Sequence, residues 1–372
     1  MIVILKPGVE PDDPEYRSLR NYLAAKPNIE IREHQERGVQ QTLTELYLIG
    51  DTAGLDAEEI AGEPAVERVV RVSDRYRLLG RHKGQVEPTG FEYNGLHFGQ
   101  ENFHLFAGLC AVDNREHTEA MMAALQKQGL QATRMGAYKP RTSPYDFQGL
   151  GADCLPYVFE LAGKYAIRVI AMEVTHPDQI REIEDALDRS GAPTGVMLQI
   201  GTRNAQNFEL LREAGAQQRF PILYKRGFGI SLEESINACE YIATEGNRQI
   251  IFCLRGVKSH MGAPHRNLVD FAHVPVVKRL TRMPVCVDPS HSVGNRERAP
   301  DGLMDSQHVA AQGLISGANM VLADFHPRPE QALVDGPQAL HLEELPTFAE
   351  DLALVHDTYQ QRRRLAARMP HY

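Results

Sequence analysis

The stretch AIRVIAMEVTHPDQIREIEDALDRSGAPTGVMLQIGT, residues 166–202, decides the fold. Its two ends, residues 166–174 and 195–202, are short runs rich in Val, Ile, Leu and Met, as expected of strands buried on both faces. Between them, residues 177–190 have helical spacing, and a Gly follows at position 191. A strand, a helix and a second strand within this length form a βαβ unit, which requires parallel pairing.

The same alternation extends in both directions. Further β-type runs fall at residues 103–112, 131–138, 221–227, 248–256, 284–292 and 318–327. Helical segments are predicted at 116–128, 155–165, 207–214, 232–245 and 306–316, with a shorter one at 272–281. A long terminal helix is expected over 342–368, broken near Pro346. Eight strands with intervening helices predict an α/β fold, a (β/α)8 TIM barrel, over residues 103–372. A doubly wound sheet is the other architecture with this element order. Neither GxGxxG nor GxxxxGK[ST] follows a strand, which removes the usual nucleotide-binding loops.

The chain before the barrel differs in pattern. Residues 1–75 read as β-α-β-β-α-β: strands at 2–6, 29–32, 43–49 and 66–72, helices at 13–25 and 55–62. This is the order of a small ferredoxin-like α+β domain. Residues 76–102, with turns at Gly90 and Gly95, read as a connector with short strands.

Composition narrows the function classes. The net charge of −9, with both signs interleaved, disfavours nonspecific nucleic-acid binding. No apolar run approaches the roughly 18 residues of a membrane span, and the N-terminus lacks a basic leader and a cleavage site. Five scattered cysteines without a CxxC pair suit reduced thiols in the cytoplasm. An acidic protein that binds anions must gather its cations locally. The predicted strand ends do so, because barrel enzymes draw their reactive groups from that face. Arg134, Lys139, Arg141, Arg203, Lys225 and Arg255 all fall at or just beyond strand ends, and such a ring calls for phosphate or carboxylate partners. Cys110, His291, Asp324 and Asp335 fall in the same layer, and a thiolate, an imidazole and two carboxylates suit a divalent transition metal.

At Gly136–Gly151 the sequence GAYKPRTSPYDFQGLG resembles the KPRTS loop of the 3-deoxy-D-arabino-heptulosonate 7-phosphate synthases. IGTRNAQNF at 200–208, LYKRGF at 223–228 and DPSHS at 288–292 are similar to the same family, in the same order. The opening MIVILKPG resembles the form with an N-terminal regulatory domain. The resemblance implies a transferase of the shikimate pathway, and hence of aromatic amino acid biosynthesis. It would condense phosphoenolpyruvate with erythrose 4-phosphate in an aldol-like reaction and release phosphate. It further implies that Arg134, Lys139, Arg203, Lys225 and Arg255 bind phosphoenolpyruvate, and that Arg141 and Thr142 hold the aldose phosphate. Cys110, His291, Asp324 and Asp335 would bind the metal (Mn, Fe, Co or Zn), with Lys139 a candidate proton relay.

A homo-oligomer with Tyr or Phe as feedback inhibitor is also implied. Several positions depart from the family pattern. Asp324 stands where Glu is usual, Leu109 and Ala111 flank Cys110 in place of Pro and Ser, Met172 precedes Glu173 in place of Thr, and Leu254 replaces Glu before Arg255. Residues 178–195 and 296–306 are longer than usual. These differences leave two other readings, a paralogue acting on another aldose phosphate and a non-catalytic anion-binding homologue.

Overall fold

The structure is a computed structural model that describes residues 1–37, 42–52, 54–71, 76–82, 87–366, 368 and 369. It divides into two compact units, Met1–Arg77 and Leu78–Tyr372.

In the first unit, β1 (Ile2–Leu5), α1 (Pro14–Ala24), β2 (Ile29–Arg37), β3 (Thr42–Gly50), α2 (Ala57–Ala61) and β4 (Val66–Val70) follow the β-α-β-β-α-β order. The sheet is antiparallel, ordered β2-β3-β1-β4. Pro14 opens α1, where a missing N–H costs nothing, and Tyr16, Leu19 and Leu23 turn one face inward. That face packs with Val3, Leu5, Leu46, Leu48, Ile60 and Val66. β2 runs five residues past the expected end at 32, because it pairs with β3 along its whole length. The final residues expected of β4 include position 72, which lies outside the described residues.

The second unit opens with a hairpin, β5 (Phe91–Tyr93) and β6 (Leu96–Phe98). The barrel then runs β7 (His104–Gly108), α3 (Arg115–Lys127), β8 (Ala132–Arg134), α4 (Leu155–Lys164), β9 (Val169–Val174), α5 (Asp178–Ser190) and β10 (Gly195–Ile200). It continues with α6 (Phe208–Ala216), β11 (Ile222–Lys225), α7 (Leu232–Thr244), β12 (Ile250–Leu254), α8 (Val274–Leu280) and β13 (Val285–Val287). The remaining elements are α9 (Pro289–Val293), α10 (Asp305–Ile315), β14 (Met320–His326), β15 (Leu340–His341) and α11 (Leu345–Ala366). Parallel pairing runs unbroken from β8 to β14, and β7 returns to pair with β14. Between β7 and β8, a bridge from Leu109 to Met135 and a bond from Thr133 Oγ1 to the Ala107 carbonyl (2.6 Å) close the ring. That return excludes the doubly wound alternative.

Local sequence explains these elements. β9 and β10 are buried at every residue, as strands lying between a packed barrel interior and surrounding helices must be. In α5, Ile180, Ile183, Ala186 and Leu187 form the buried stripe, and Gly191 ends the helix in the left-handed conformation (φ 58°). Ser231 and Glu234 form a reciprocal cap that starts α7.

Phe106, Ala171, Met197, Leu223, Ile251 and Cys286 fill the interior, and Phe98 of the hairpin packs onto the same cluster from the N-terminal end of the strands. Phe98 is 2% exposed, and its ring stacks on Phe91 at 5.3 Å.

Two expectations need correction. Residues 284–292 are not one strand: β13 ends at Val287, and Asp288 caps α9 by accepting from the His291 N–H. Pro346 does not break the last helix, since it sits in the first turn of α11, where proline is tolerated. Among the described residues no helix is long and apolar enough to cross a membrane.

Candidate active site

The site is built on the C-terminal ends of the barrel strands. Cys110 follows β7, Arg134 ends β8, Glu173 lies on β9, Lys225 ends β11, Arg255 follows β12, His291 lies in α9, and Asp324 lies on β14. Alternation along each strand turns these side chains to the mouth, while their neighbours face the helices.

Cys110, His291, Asp324 and Asp335 each offer a ligand atom, all within 4.8 Å of one another. The Cys110 sulfur lies 3.6 Å from His291 Nε2 and 3.1 Å from an Asp335 oxygen. His291 Nε2 and the same Asp335 oxygen are 3.7 Å apart. Bonds of about 2.0–2.3 Å to a four-coordinate metal place donors roughly 3.3–3.8 Å apart, so this donor set fits a divalent ion with small adjustments. His291 Nδ1 lies 2.9 Å from an Asp288 oxygen, so the network assigns the proton to Nδ1 and leaves the Nε2 lone pair facing the cluster. Burial pushes the Cys110 thiol well above its usual range, opposed by Arg134 and Lys139. Burial would raise the Asp335 carboxyl, but Lys139 and His291 hold it far below the carboxylate range.

Asp324 is fully buried and doubly held. One oxygen accepts from Arg134 Nη1 at 2.5 Å, the other from Gln338 Nε2 at 2.5 Å. Arg266 in turn donates to Gln338 Oε1 (2.9 Å) and Asp335 (3.2 Å), tying the two carboxylates into one frame. Lys139 sits 2.6 Å from the Cys110 sulfur and 3.0 Å from Asp335. Its burial works against the charged ammonium, yet that sulfur and carboxylate raise its pKa.

Beside the cluster lies a pocket lined by Lys139, Glu173, Arg203, Lys225, Phe228 and Arg255, among others. Arg255 is 2% exposed, and its Nε and Nη1 have no hydrogen-bond partner. Its guanidinium lies 4.8 Å above the Phe228 ring. Burial lowers its pKa, opposed by Asp288. Lys225 is paired with Asp288, which therefore joins the pocket to His291. Gly201 is required at its position: a Cβ there would sit 1.7 Å from a Glu173 oxygen.

The predicted residues thus separate into groups. Lys139, Arg203, Lys225 and Arg255 line the anion pocket. Arg134 does not: it faces Asp324 and the Cys110 sulfur (3.3 Å). Arg141 is held by Asp146 at 3.2 Å in the loop after β8, while Thr142 accepts from Arg203 at 3.0 Å, linking that loop to the mouth. Sequence reasoning assigned no role to Asp288, Gln338 or Arg266. Asp288 left a trace, as an Asp-Pro start to a helix carrying His291; Gln338 and Arg266 left none, because their contacts are long-range.

A nearby pair of histidines stands apart from the cluster. His117 and His326 both bond one Asp113 oxygen (2.8 and 2.9 Å), and they pull the Asp113 carboxyl down against its burial.

A pocket of Arg and Lys beside metal-type donors, at the C-terminal face of a (β/α)8 barrel, defines an enzyme of the anion-handling barrel class. The DAHP synthetase I family profile matches residues 85–361. The chain belongs to that family. It is 35% identical to a phospho-2-dehydro-3-deoxyheptonate aldolase of Thermotoga maritima, over 96% of this chain and 98% of that protein. A crystal structure of a Thermotoga maritima DAHP synthase superposes with a TM-score of 0.77 at 34% identity, covering 96% of this chain and 97% of that one. A 2-dehydro-3-deoxyphosphooctonate aldolase of Escherichia coli is more distant, 26% identical over 68% of this chain and 89% of that protein.

Proposed function

We propose that this protein is a 3-deoxy-7-phosphoheptulonate synthase, acting in the cytoplasm at the entry to aromatic amino acid biosynthesis. It joins phosphoenolpyruvate to D-erythrose 4-phosphate and releases phosphate. The observation that carries this reading is the buried Arg255 guanidinium with two unanswered N–H groups, in a pocket that also holds Arg203, Lys225 and Lys139. Buried donors without partners are costly, and the phosphate or carboxylate of phosphoenolpyruvate would satisfy them.

In this reading Arg255, Arg203 and Lys225 hold phosphoenolpyruvate, and Arg134 orients its inner edge beside Asp324. Arg141 and Thr142 hold the phosphate of the aldose. C3 of phosphoenolpyruvate then bonds to the aldehyde carbon, whose oxygen gains a proton. Water adds at C2 and loses a proton, and the C2–O bond to phosphate breaks to leave a ketone. Lys139 stands between cluster and pocket and moves a proton at its Nζ. Cys110, His291, Asp324 and Asp335 would hold a divalent metal (Mn, Fe, Co or Zn), which would supply Lewis acidity there. Asp288 keeps His291 oriented. The cations hold two anions at attack distance, which lowers the barrier through positioning and electrostatics.

The test is phosphate release from phosphoenolpyruvate across a panel of aldose phosphates. Turnover with erythrose 4-phosphate, lost with a chelator and restored by metal, is the expected result. Binding without turnover under every metal overturns the reading. The first unit, residues 1–77, is proposed to bind Tyr or Phe as a feedback inhibitor within a homo-oligomer. A flat activity titration with both amino acids contradicts that part alone.

A further inference from the structure

The opposite end of the barrel carries a second concentration of positive charge. A cavity of about 250 Å³ is lined by Arg81, Pro88, Gln100, Glu101, Lys278, Tyr359 and Arg363. Gln100 lies just before β7, Lys278 is in the last turn of α8, and Tyr359 and Arg363 are on α11, so the cavity is on the N-terminal side of the strands. Residues on that face of a barrel ordinarily serve stability rather than chemistry.

The details argue against a purely structural cluster. The Lys278 ammonium donates to backbone carbonyls alone, at Gly317 (2.6 Å) and Gln100 (3.5 Å). Arg363 donates to Gln360 through one nitrogen, at 3.3 Å. Arg81 is fixed rather than loose, through Nε to the Lys278 carbonyl (2.6 Å) and Nη2 to Gln100 (2.6 Å). Gln100 is itself anchored on the Met283 carbonyl at 2.7 Å. Among the described lining residues the carboxylate is Glu101, and His97 engages it at 2.6 Å. Burial, with the charges of Arg363 and Arg81, brings the Lys278 pKa down to about 8. Arg81 has Glu87 acting on it, whereas Lys278 and Arg363, held beside it with a phenol hydroxyl at hand, repel one another until an anion enters.

We propose that this cavity is an anion site separate from the catalytic mouth, and that it takes a phosphate dianion, either free or as the head of a small monoester. A dianion suits the pair Lys278 and Arg363 better than a single carboxylate does. The cavity admits a phosphate with a short carbon chain and no more than a small ligand.

The chain contains no Trp, so Pro88→Trp at the exposed rim places a single tryptophan reporter beside the cavity. The full-length variant is titrated with inorganic phosphate and, separately, with glycerol 3-phosphate. The expected result is a saturable fluorescence change that weakens above pH about 8, as Lys278 loses its proton. Adding Lys278→Met or Arg363→Ala should weaken it at least about tenfold, in line with losing a charge-assisted partner. Arg363 is on the exposed side of α11, so its loss leaves folding intact. Equilibrium dialysis with labelled phosphate then counts sites without a reporter. Loss of one phosphate site in both charge variants supports the proposal. An unchanged count and affinity in both overturn it. Tighter binding of one probe identifies the free ion or the monoester as the source.

Discussion

The two halves of the mouth handle buried charge in opposite ways. In the cluster of Cys110, His291, Asp324 and Asp335, the carboxylates are answered, with Arg134 and Gln338 holding Asp324 and Lys139 and Arg266 holding Asp335, and Arg134 Nε is left without a partner. In the adjoining pocket, Arg255 keeps two buried N–H groups without partners. A self-neutralised cluster is a frame that positions donors. A pocket with unanswered donors is a receptor whose missing partner comes from outside.

This contrast sets the expected size of each substitution. Cys110→Ala breaks the frame itself and should reduce activity more than about 1,000-fold, beyond the loss of a single donor. Metal content by elemental analysis should fall with it; full metal occupancy with full activity would remove the sulfur from the ligand set. Arg255→Ala empties the receptor and should reduce kcat/KM about 100- to 1,000-fold, with metal content unchanged. If the two variants lose metal alike, the division between frame and receptor fails.

Asp288→Asn acts on both sides, because Asp288 holds both His291 and Lys225. Roughly 10- to 100-fold weaker metal binding or activity is expected, the usual cost of losing a carboxylate behind a metal-type histidine. A calorimetric metal titration distinguishes this from simple unfolding. The smallest effect is expected for Asp324→Glu, which extends the acid by one methylene while Arg134 and Gln338 remain. A change in metal affinity below about tenfold, read in the same titration, would show that the frame absorbs the difference in reach. A larger change would mean that the shorter acid has reshaped the cluster.

Much of this was legible in the sequence. The alternation of apolar runs and helical spacing gave the barrel, because strands buried on both faces leave a dense apolar signature. The strand ends revealed the charged layer, since a core strand does not otherwise select Lys225 or Arg255. Boundaries were less legible. Residues 284–292 read as one strand because Val285–Val287 is apolar and Pro289 suggests no helix on its own; capping by Asp288, a local contact, decides the matter. Pro346 read as a break because its position within a first turn depends on where the helix begins. The strand-end position of Arg134 is legible, but its partner Asp324, 190 residues away in the chain, is not. Pairings of that length have no local pattern to report them.

The hairpin that carries Phe98 has a consequence for how such a chain can be assembled from parts. The barrel's floor is encoded upstream of its first strand, yet downstream of the boundary between Arg77 and Leu78. A gene fusion or deletion that cuts at that boundary trades the leading unit and keeps the floor. A cut made at the first barrel strand, about twenty-five residues later, strips away Phe98 and leaves apolar interior facing water, at about 3–5 kcal/mol for that ring alone. The hairpin thus marks the point at which this barrel becomes a transferable module.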